Sequence, residues 1–368
     1  MAGPEASPPS PAEEQEAGRR LRRLLEAYSP SGAEAEAVRA FVAIAGELGY
    51  AAEVDPDGNG IARMGSGRPQ VLFLGHIDTV PGALPVREVG GTLTGRGACD
   101  AKGPLVAALL AGAEGRLPAG ELVVVAAVGE ETDSRGTRGL LPRWRPDAVI
   151  AGEPSGWSSV AIGYKGDLRV RGRFDGERQH LSAAEPSAAE RVIAWARAVR
   201  GLADEAAEGN RFRRRTGKIV SVRAEEDGAG AEAVVDLRIP PGETAGELEA
   251  AVRAIPGPAS VEVIAAIDPF ETDRDDPVVR ALVDGIRRAG ATPTLYRKGG
   301  TSDLNLAAPA WGLGGAAYGP GDPHLDHTDR EAIELAELAR SVRVLRSAFA
   351  ALVLGGPRPT PRRSAPGS

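Results

Sequence analysis

Short apolar runs in this chain repeatedly end in histidine or carboxylate side chains. Val71–Leu74 is followed by Gly75, His76, Ile77 and Asp78, Leu122–Val128 by Gly129, Glu130 and Glu131, and Ala148–Ala151 by Gly152 and Glu153. Trp311–Tyr318 leads into GPGDPHLDHTDRE, which carries His324 and His327. Apolar runs of this length, bounded by turn residues, read as buried strands. Between Gly18 and Gly152 they alternate with helical patterns, which predicts an α/β domain built on a mainly parallel sheet. In open sheets of that kind ligands bind beyond the carboxyl ends of the strands. Four strands are therefore expected to deliver His, Asp and Glu side chains to one edge. Asp100, in GRGACDAKG just before a helix with Pro104 in its first turn, adds a fifth source.

The chain has 368 residues, a length that suits two domains. Helices are expected over 19–27, 33–48 and about 103–113, with strands at 51–54 and 60–64. From Tyr164 the texture changes to alternating Leu168, Val170, Gly172 and Phe174, the mark of a half-exposed strand. A helix at 187–202, strands at 218–223 and 233–238, a helix at 245–254 and a strand at 260–265 follow. This β-α-β-β-α-β order predicts a small α+β, ferredoxin-like domain inserted over 164–267. The main domain is expected at 17–163 and 268–354, resuming with a helix at 276–289, strands at 292–296 and 311–318, and a closing helix at 330–354. Residues 1–16 and 355–368 read as disordered tails.

Composition narrows the chemistry. Cys99 is the single cysteine, so an intrachain disulfide and a multi-cysteine zinc site are excluded, and a reducing, cytoplasmic setting is expected. The N-terminal stretch has neither a basic start nor an apolar core, unlike a secretory signal, and no apolar run is long enough to span a membrane. A net charge of −7 argues against general nucleic-acid binding. One run opposes that trend: Arg211, Arg213, Arg214, Arg215 and Lys218.

Two histidines with three carboxylates suit zinc or a similar divalent ion. Five ligands exceed what one catalytic zinc with an open position needs, and suit two ions sharing a bridging carboxylate. Asp78, two residues after His76, is placed to orient its imidazole. Neighbouring side chains diverge, so of Glu130 and Glu131 one can ligate while the other faces water as a general base. Each element has a plain structural reading: a chance HxD, a solvated Glu-Glu pair, an Asp100 that caps a helix. Their joint occurrence at successive strand ends does not.

At these residues the sequence resembles the DapE/ArgE/aminoacylase family of metallopeptidase-like hydrolases. The resemblance runs from about Leu21 to Leu352 and rests on GHIDTVPG (75–82), GRGACDAKG (95–103), GEETDSRG (129–136), GEPS (152–155), GGTSD (299–303) and the HTDRE end (327–331). It implies a zinc-peptidase-like catalytic domain with an inserted lid and dimerisation domain, and hence a homodimer. It implies two divalent ions, zinc or cobalt: His76 and Glu153 on one, Glu131 and His327 on the other, and Asp100 bridging. Asp78 would orient His76 and Glu130 would be the base. His327 rather than His324 is implied because Glu331 follows it by four residues. His180 matches a histidine that reaches the scissile carbonyl oxygen, commonly across the dimer, although Leu181 stands where a small residue is usual. Ala101 replaces the methionine common after the bridging Asp. Arg238, Gly300, Thr301 and Ser302 resemble substrate-gripping segments.

Within the family, GRGACDAKGPL, GTSDLN and GPGDPHLDHT are most similar to hydrolases of lysine and arginine biosynthesis that release lysine or ornithine from the C-terminal glutamate of a small acidic amino-group carrier protein. Deacetylase, desuccinylase and dipeptidase activities share the same metal core, and a non-catalytic peptide- or amino-acid-binding relative is the reading from a different class.

Overall fold

The computed structural model describes residues 7–115, 117, 119–177, 184–204, 210–225 and 228–355. The chain divides into two compact units. The first comprises Met1–Ile162, Thr272–Tyr296 and Ser302–Ser368; the second comprises Gly163–Glu271 and Arg297–Thr301. The segment Arg297–Thr301 therefore counts with the second unit, although it lies past the expected insertion.

The first unit is built on a twisted mixed sheet. Its strands run in the order Ala51–Val54, Gly60–Gly65, Glu121–Ala127, Gln70–His76, Ala148–Gly152, Ala316–Ala317 and Ser159–Tyr164. Gln70–His76 is parallel to both neighbours, with His76 beside Ala127 and Gly75 beside Gly152. Because the three strands end level, His76, the turn at Glu130 and Glu131, and Glu153 all leave the same edge. The central strands are almost wholly buried, as parallel strands are when helices cover the sheet. Helix Lys102–Gly115 is likewise buried on every side from Lys102 to Gly112. Gly75 lets it approach: a Cβ there would sit 2.8 Å from Leu105. Helix Leu335–Gly355 packs against Lys102–Gly115, Pro277–Arg288 and Pro11–Glu26, and its Phe349 meets Phe73 edge-on at 6.2 Å.

The second unit has its own core, including Leu168, Val170, Trp195, Val199, Val235 and Leu237. Its four strands are antiparallel in the order Thr216–Ala224, Gly230–Ile239, Gly166–Asp175 and Ser260–Ile267. Helices Ala188–Asp204 and Ala245–Arg253 pack on this sheet. Among the described residues, no helix is long and apolar enough to cross a membrane.

Several local expectations are corrected. Residues 11–16 are not tail but the first turns of helix Pro11–Glu26. Ser10 and Glu13 form a capping box around Pro11, a start signal hidden in a proline-rich stretch. Glu13 is anchored by Arg343, whose Nε and Nη2 reach it at 3.0 and 2.8 Å. The strand expected over 311–318 shrinks to Ala316–Ala317: Trp311 is the last residue of helix Leu304–Trp311, which stops at Gly312, whose φ of 69° suits glycine. Pro309 lies inside that helix, and Leu304, Ala307 and Ala308 form its buried face; only Ala316–Ala317 pairs with the sheet. The closing helix begins at Leu335, because Ala332–Glu334 pairs with Thr92–Thr94. Residues 356–368 lie outside the described residues.

The N-terminal correction is testable. Replacing Ser10 with Ala removes the cap and should cost about 1 kcal/mol of local helix stability, read as faster amide exchange over residues 12–16. Unchanged exchange would contradict a capped helix. Arg343 holds Glu13 down from its ordinary 4.5 to about 2. The stabilisation from this pair is therefore full above about pH 4.5 and is lost as pH falls through about 2, so the protection of the same amides, their exchange relative to the intrinsic rate at each pH, should fall over that window.

Candidate metal centre

His76 ends its strand buried, with Nδ1 3.0 Å from the main-chain oxygen of Asp78 and 3.6 Å from Asp78 Oδ1. With Nδ1–H donated to that carbonyl, Nε2 is the nitrogen left to ligate once its own proton is lost. Nε2 lies 3.0 Å from Asp100 Oδ1. The closer partner of His76 is thus the Asp78 backbone, and the Asp78 carboxylate holds the neighbouring turn. Its Oδ1 accepts the Glu130 N–H at 3.1 Å, and its Oδ2 accepts the Glu131 N–H at 3.2 Å and the Ser31 hydroxyl at 2.7 Å.

Asp100 offers its second oxygen to the other histidine: Oδ2 lies 3.1 Å from His327 Nε2. Glu131 Oε1 lies 3.0 Å from the same nitrogen, in an orientation that leaves this buried oxygen without a hydrogen bond. His327 sits at φ 60°, a left-handed conformation that costs a side-chain-bearing residue about 1–3 kcal/mol and tends to mark functional sites. His324 is almost fully exposed, its Nδ1 2.8 Å from Asp322, and takes no part in the cluster. Glu153 is buried just past Gly152, the partner of Gly75 in the sheet.

Most of the support behind this cluster was not read from the sequence, which marked only Glu331, by its spacing from His327. Glu331 Oε1 accepts the N–H groups of Cys99 and Asp100 at 3.0 and 3.2 Å. Arg96 donates from Nη1 to Glu331 Oε2 at 3.1 Å and to the Thr328 carbonyl at 2.8 Å, and from Nε to the Gly82 carbonyl at 2.8 Å. One buried guanidinium thereby ties the backbones beside Asp100 and His327 to the loop after His76. Lys102 is fully buried and donates to the carbonyls of Leu24 and Ala27 at 3.1 and 2.8 Å, closing the end of helix Pro11–Glu26. Burial lowers its ammonium pKa to about 7. Asp303, the last residue of GGTSD, is buried and accepts the Thr137 hydroxyl. For Arg96, Lys102 and Asp303 the only advance signal was a charge within a motif whose neighbours were mostly apolar or small.

Electrostatics follow from packing so many acids together. Glu130 keeps some solvent contact, yet desolvation raises its pKa well above the usual carboxylate range. His76 opposes that rise, while Glu153, Asp303 and Glu131 add to it. Burial works against the charged form of His76, but Asp100 and Asp78 prevail and raise its pKa well above the usual. Asp100 and Glu131 raise His327 to about 11.

The donor set fits divalent ions. Ligand atoms of His76, Asp100 and Glu131 all lie within 4.8 Å of one another, the ligands are imidazole and carboxylate, and one Glu131 oxygen lacks a hydrogen bond. The expected substrate-gripping residues divide between the units. Arg238, Gly300 and Thr301 belong to the second, where Arg238 Nη1 lies 3.2 Å from Thr301 Oγ1 and Nε 3.0 Å from Asp236. Ser302 belongs to the first and accepts the Leu304 N–H at 3.3 Å. His180 lies outside the described residues.

Metal ligation needs neutral imidazoles, and these carboxylates hold protons on them. Zinc binding at pH 7 should therefore release about one to two protons per chain, and affinity should rise with pH. Calorimetric titrations in buffers of different ionisation enthalpy read this directly; heats independent of the buffer would contradict it.

The chain is similar to known proteins along most of its length. The model of Peptidase family M20/M25/M40 matches residues 72–351. A Thermococcus kodakarensis relative is 42% identical over 330 residues, covering 88% of this chain and 89% of its own length. A Deinococcus radiodurans relative, named [LysW]-lysine hydrolase, is 37% identical and covers 94% of this chain and all of its own. Among solved structures, a dinuclear metal-binding peptidase of family M20 from Bacillus subtilis shares the fold with TM-score 0.67 at 16% identity, covering 94% of this chain and 100% of that one.

Proposed function

The chain belongs to Peptidase family M20/M25/M40, and from that membership we propose that it is a two-metal hydrolase freeing lysine or ornithine from the C-terminal glutamate of an amino-group carrier protein. The observation that carries the reaction is the division of Asp100 between the two imidazoles, Oδ1 at 3.0 Å from His76 and Oδ2 at 3.1 Å from His327. The substrate reading is supported by the [LysW]-lysine hydrolase that matches along its whole length. Zinc or cobalt suits the ligands, and a cytoplasmic homodimer suits the reading.

His76 and Glu153 would hold one ion, Glu131 and His327 the other, and Asp100 both. Divalent ions held there supply Lewis acidity toward water and the amide carbonyl. Glu130 takes a proton from the attacking water as the carbon–oxygen bond forms. It returns that proton to the nitrogen as the carbon–nitrogen bond breaks, and the remaining water proton passes from the new carboxyl group to the released amine, giving glutamate carboxylate and an ammonium group. Its raised pKa suits a group that must first accept and then donate. The turn bearing Glu130 is fixed by the two N–H bonds to Asp78, so the base does not have to be ordered at the moment of reaction. His180 is proposed to donate to the carbonyl oxygen as it gains charge, an interaction whose loss typically costs about 2.7–4 kcal/mol in the barrier.

Glu130→Gln should lower kcat by about 10²–10⁴ while two ions per chain remain bound by elemental analysis. Substantial turnover in that variant would overturn the base assignment. The substrate is tested by turnover of carrier-linked lysine, carrier-linked ornithine, acetylornithine, succinyl-diaminopimelate and dipeptides with metal-loaded protein. The carrier-linked compounds should give the highest kcat/KM; preference for an acylated free amino acid would replace the carrier reading with a deacylase.

His180→Ala should reduce kcat much more than it weakens substrate binding, the pattern of an interaction made in the transition state. If His180 acts across a dimer, mixed Glu130→Gln and His180→Ala chains should regain activity. No recovery after demonstrated subunit exchange would place His180 in its own chain's site.

A further inference from the structure

The loop that carries Glu130 and Glu131 is held at both ends by one residue from a distant part of the chain. Asn59 is fully buried just before strand Gly60–Gly65. Its Oδ1 accepts the Val128 N–H at 3.1 Å, and its Nδ2 donates to the Gly136 carbonyl at 3.1 Å. Val128 precedes the two glutamates and Gly136 follows them. These ends also meet each other, the Gly136 N–H donating to the Val128 carbonyl at 3.0 Å. The Asn59 amide thus seals a closed loop of residues 128–136 from the side.

The sheet explains why a side chain is needed there. Strand Gly60–Gly65 runs antiparallel to Glu121–Ala127, and their ladder stops at the pair Gly60 and Ala126. An asparagine side chain carries the same acceptor and donor groups as a peptide unit, so the Asn59 amide extends the pairing to Val128 where the backbone ladder has ended. Its second Nδ2 proton goes to Asp55 Oδ2 at 3.0 Å. Asp55 is fixed in turn by the Asp57 and Asn59 N–H groups on Oδ1, at 2.9 and 2.8 Å, and by Arg143 on Oδ2 at 2.8 Å. Both donors and the acceptor of the amide are therefore used, and their partners allow one orientation only. There is no spare room: a Cβ on Gly136 would lie 2.2 Å from Asn59 Oδ1 and 2.6 Å from the Val128 nitrogen.

Within the loop the backbone is wound tightly. The Gly129 carbonyl accepts the N–H groups of Thr132, Asp133 and Ser134 at 3.2, 3.1 and 2.7 Å. Ser134 sits at φ 54°, a left-handed conformation uncommon for a residue with a side chain. Such a coil moves as a body. Asp78 holds its middle through the Glu130 and Glu131 N–H groups, but a coil hung on Asp78 alone could still pivot about it. The two Asn59 bonds at the ends remove that freedom, and with it the freedom of both glutamate side chains to leave the sheet edge.

We propose that Asn59 is a positioning residue for the metal centre: by pinning residues 128 and 136 it sets where Glu131 can ligate and where Glu130 meets water. The roles of those glutamates rest on the two-metal reading, so the first measurement uses metal-free, full-length protein. Asn59→Asp keeps the shape and the acceptor but sets an oxygen in place of both donors, against the Gly136 carbonyl and Asp55. It should speed exchange of the Glu130 and Glu131 amides about tenfold or more, although both bond to Asp78 and not to Asn59. Leu282→Ala, a cavity in the buried face of helix Pro277–Arg288, should lower Tm yet change those two amides less than about twofold. In zinc titrations against a chromophoric chelator, Asn59→Asp should weaken one of two zinc ions about tenfold or more and the other less than about threefold. An added negative charge by itself attracts a cation, so that loss reports geometry and not charge. At saturating zinc, kcat on carrier-linked lysine should fall about tenfold or more while KM changes less than about threefold.

Gly136→Ala disturbs the same contact from the other side with Asn59 intact, and carries the test should Asn59→Asp not fold. It should reproduce these changes, and the double variant should add less than about threefold to either single one, because both act on one set of bonds. Unchanged exchange of the Glu130 and Glu131 amides in Asn59→Asp would overturn the proposal. So would equal weakening of both zinc ions, equal effects from Leu282→Ala, or a kinetic loss carried by KM alone, the marks of a general loss of structure. A wild type that binds a single zinc, or that turns over no carrier-linked lysine, would remove the two-metal or the substrate reading alone, and amide exchange would still decide the role of Asn59.

Discussion

The candidate centre depends on the placement of one carboxylate. Asp100 sets one oxygen against each of two imidazoles that come from opposite ends of the sequence, and a shift of either bond breaks the symmetry. Its backbone has little freedom: Glu331 accepts its N–H and that of Cys99, and Arg96 holds Glu331. The Arg96–Glu331 pair is buried on both sides. Buried ion pairs are often neutral for stability, because desolvation offsets attraction. Here the pair has a positional consequence, since the same guanidinium also holds the Thr328 carbonyl next to His327.

The surroundings make sense as a place built for cations. Asp78, Asp100, Glu130, Glu131, Glu153 and Asp303 lie at one end of the first unit's sheet, four of them buried. Carboxylates that close push protons onto neighbouring imidazoles or retain their own, as the raised pKa values of His327 and Glu130 show. Two divalent ions would replace those protons as the compensating charge and reverse the local preference. Glu130 is in the same field without an assigned ligand role, which is the position a proton carrier needs.

Much of this was legible in the sequence for one reason: buried parallel strands have a distinctive texture, and residues at their carboxyl ends fall on a common edge. His76, Glu130, Glu131 and Glu153 were placed by that logic. Arg96, Lys102 and Asp303 were not, because they act through hydrogen bonds to backbone or side chains far away in sequence, with no periodicity to reveal them; Glu331 was marked only by its spacing from His327, not by its contacts. The strand expected over 311–318 was drawn too long because an apolar run does not reveal that Trp311 still belongs to helix Leu304–Trp311 and that Gly312 ends it. The linear run Arg211–Lys218 gave the sign of a cavity in the second unit but not its shape. Lys165, Arg200 and Arg297 join it only after folding, and Arg213 turns out to face a carboxylate elsewhere.

The central claim is that Asp100 is shared by two metal ions. The most direct measurement is an anomalous-difference map from zinc-loaded crystals, recorded above and below the zinc edge. Two peaks should flank the Asp100 carboxylate, one beside His76 and Glu153 and the other beside His327 and Glu131. A single peak, or two peaks neither of which touches Asp100, would contradict the account.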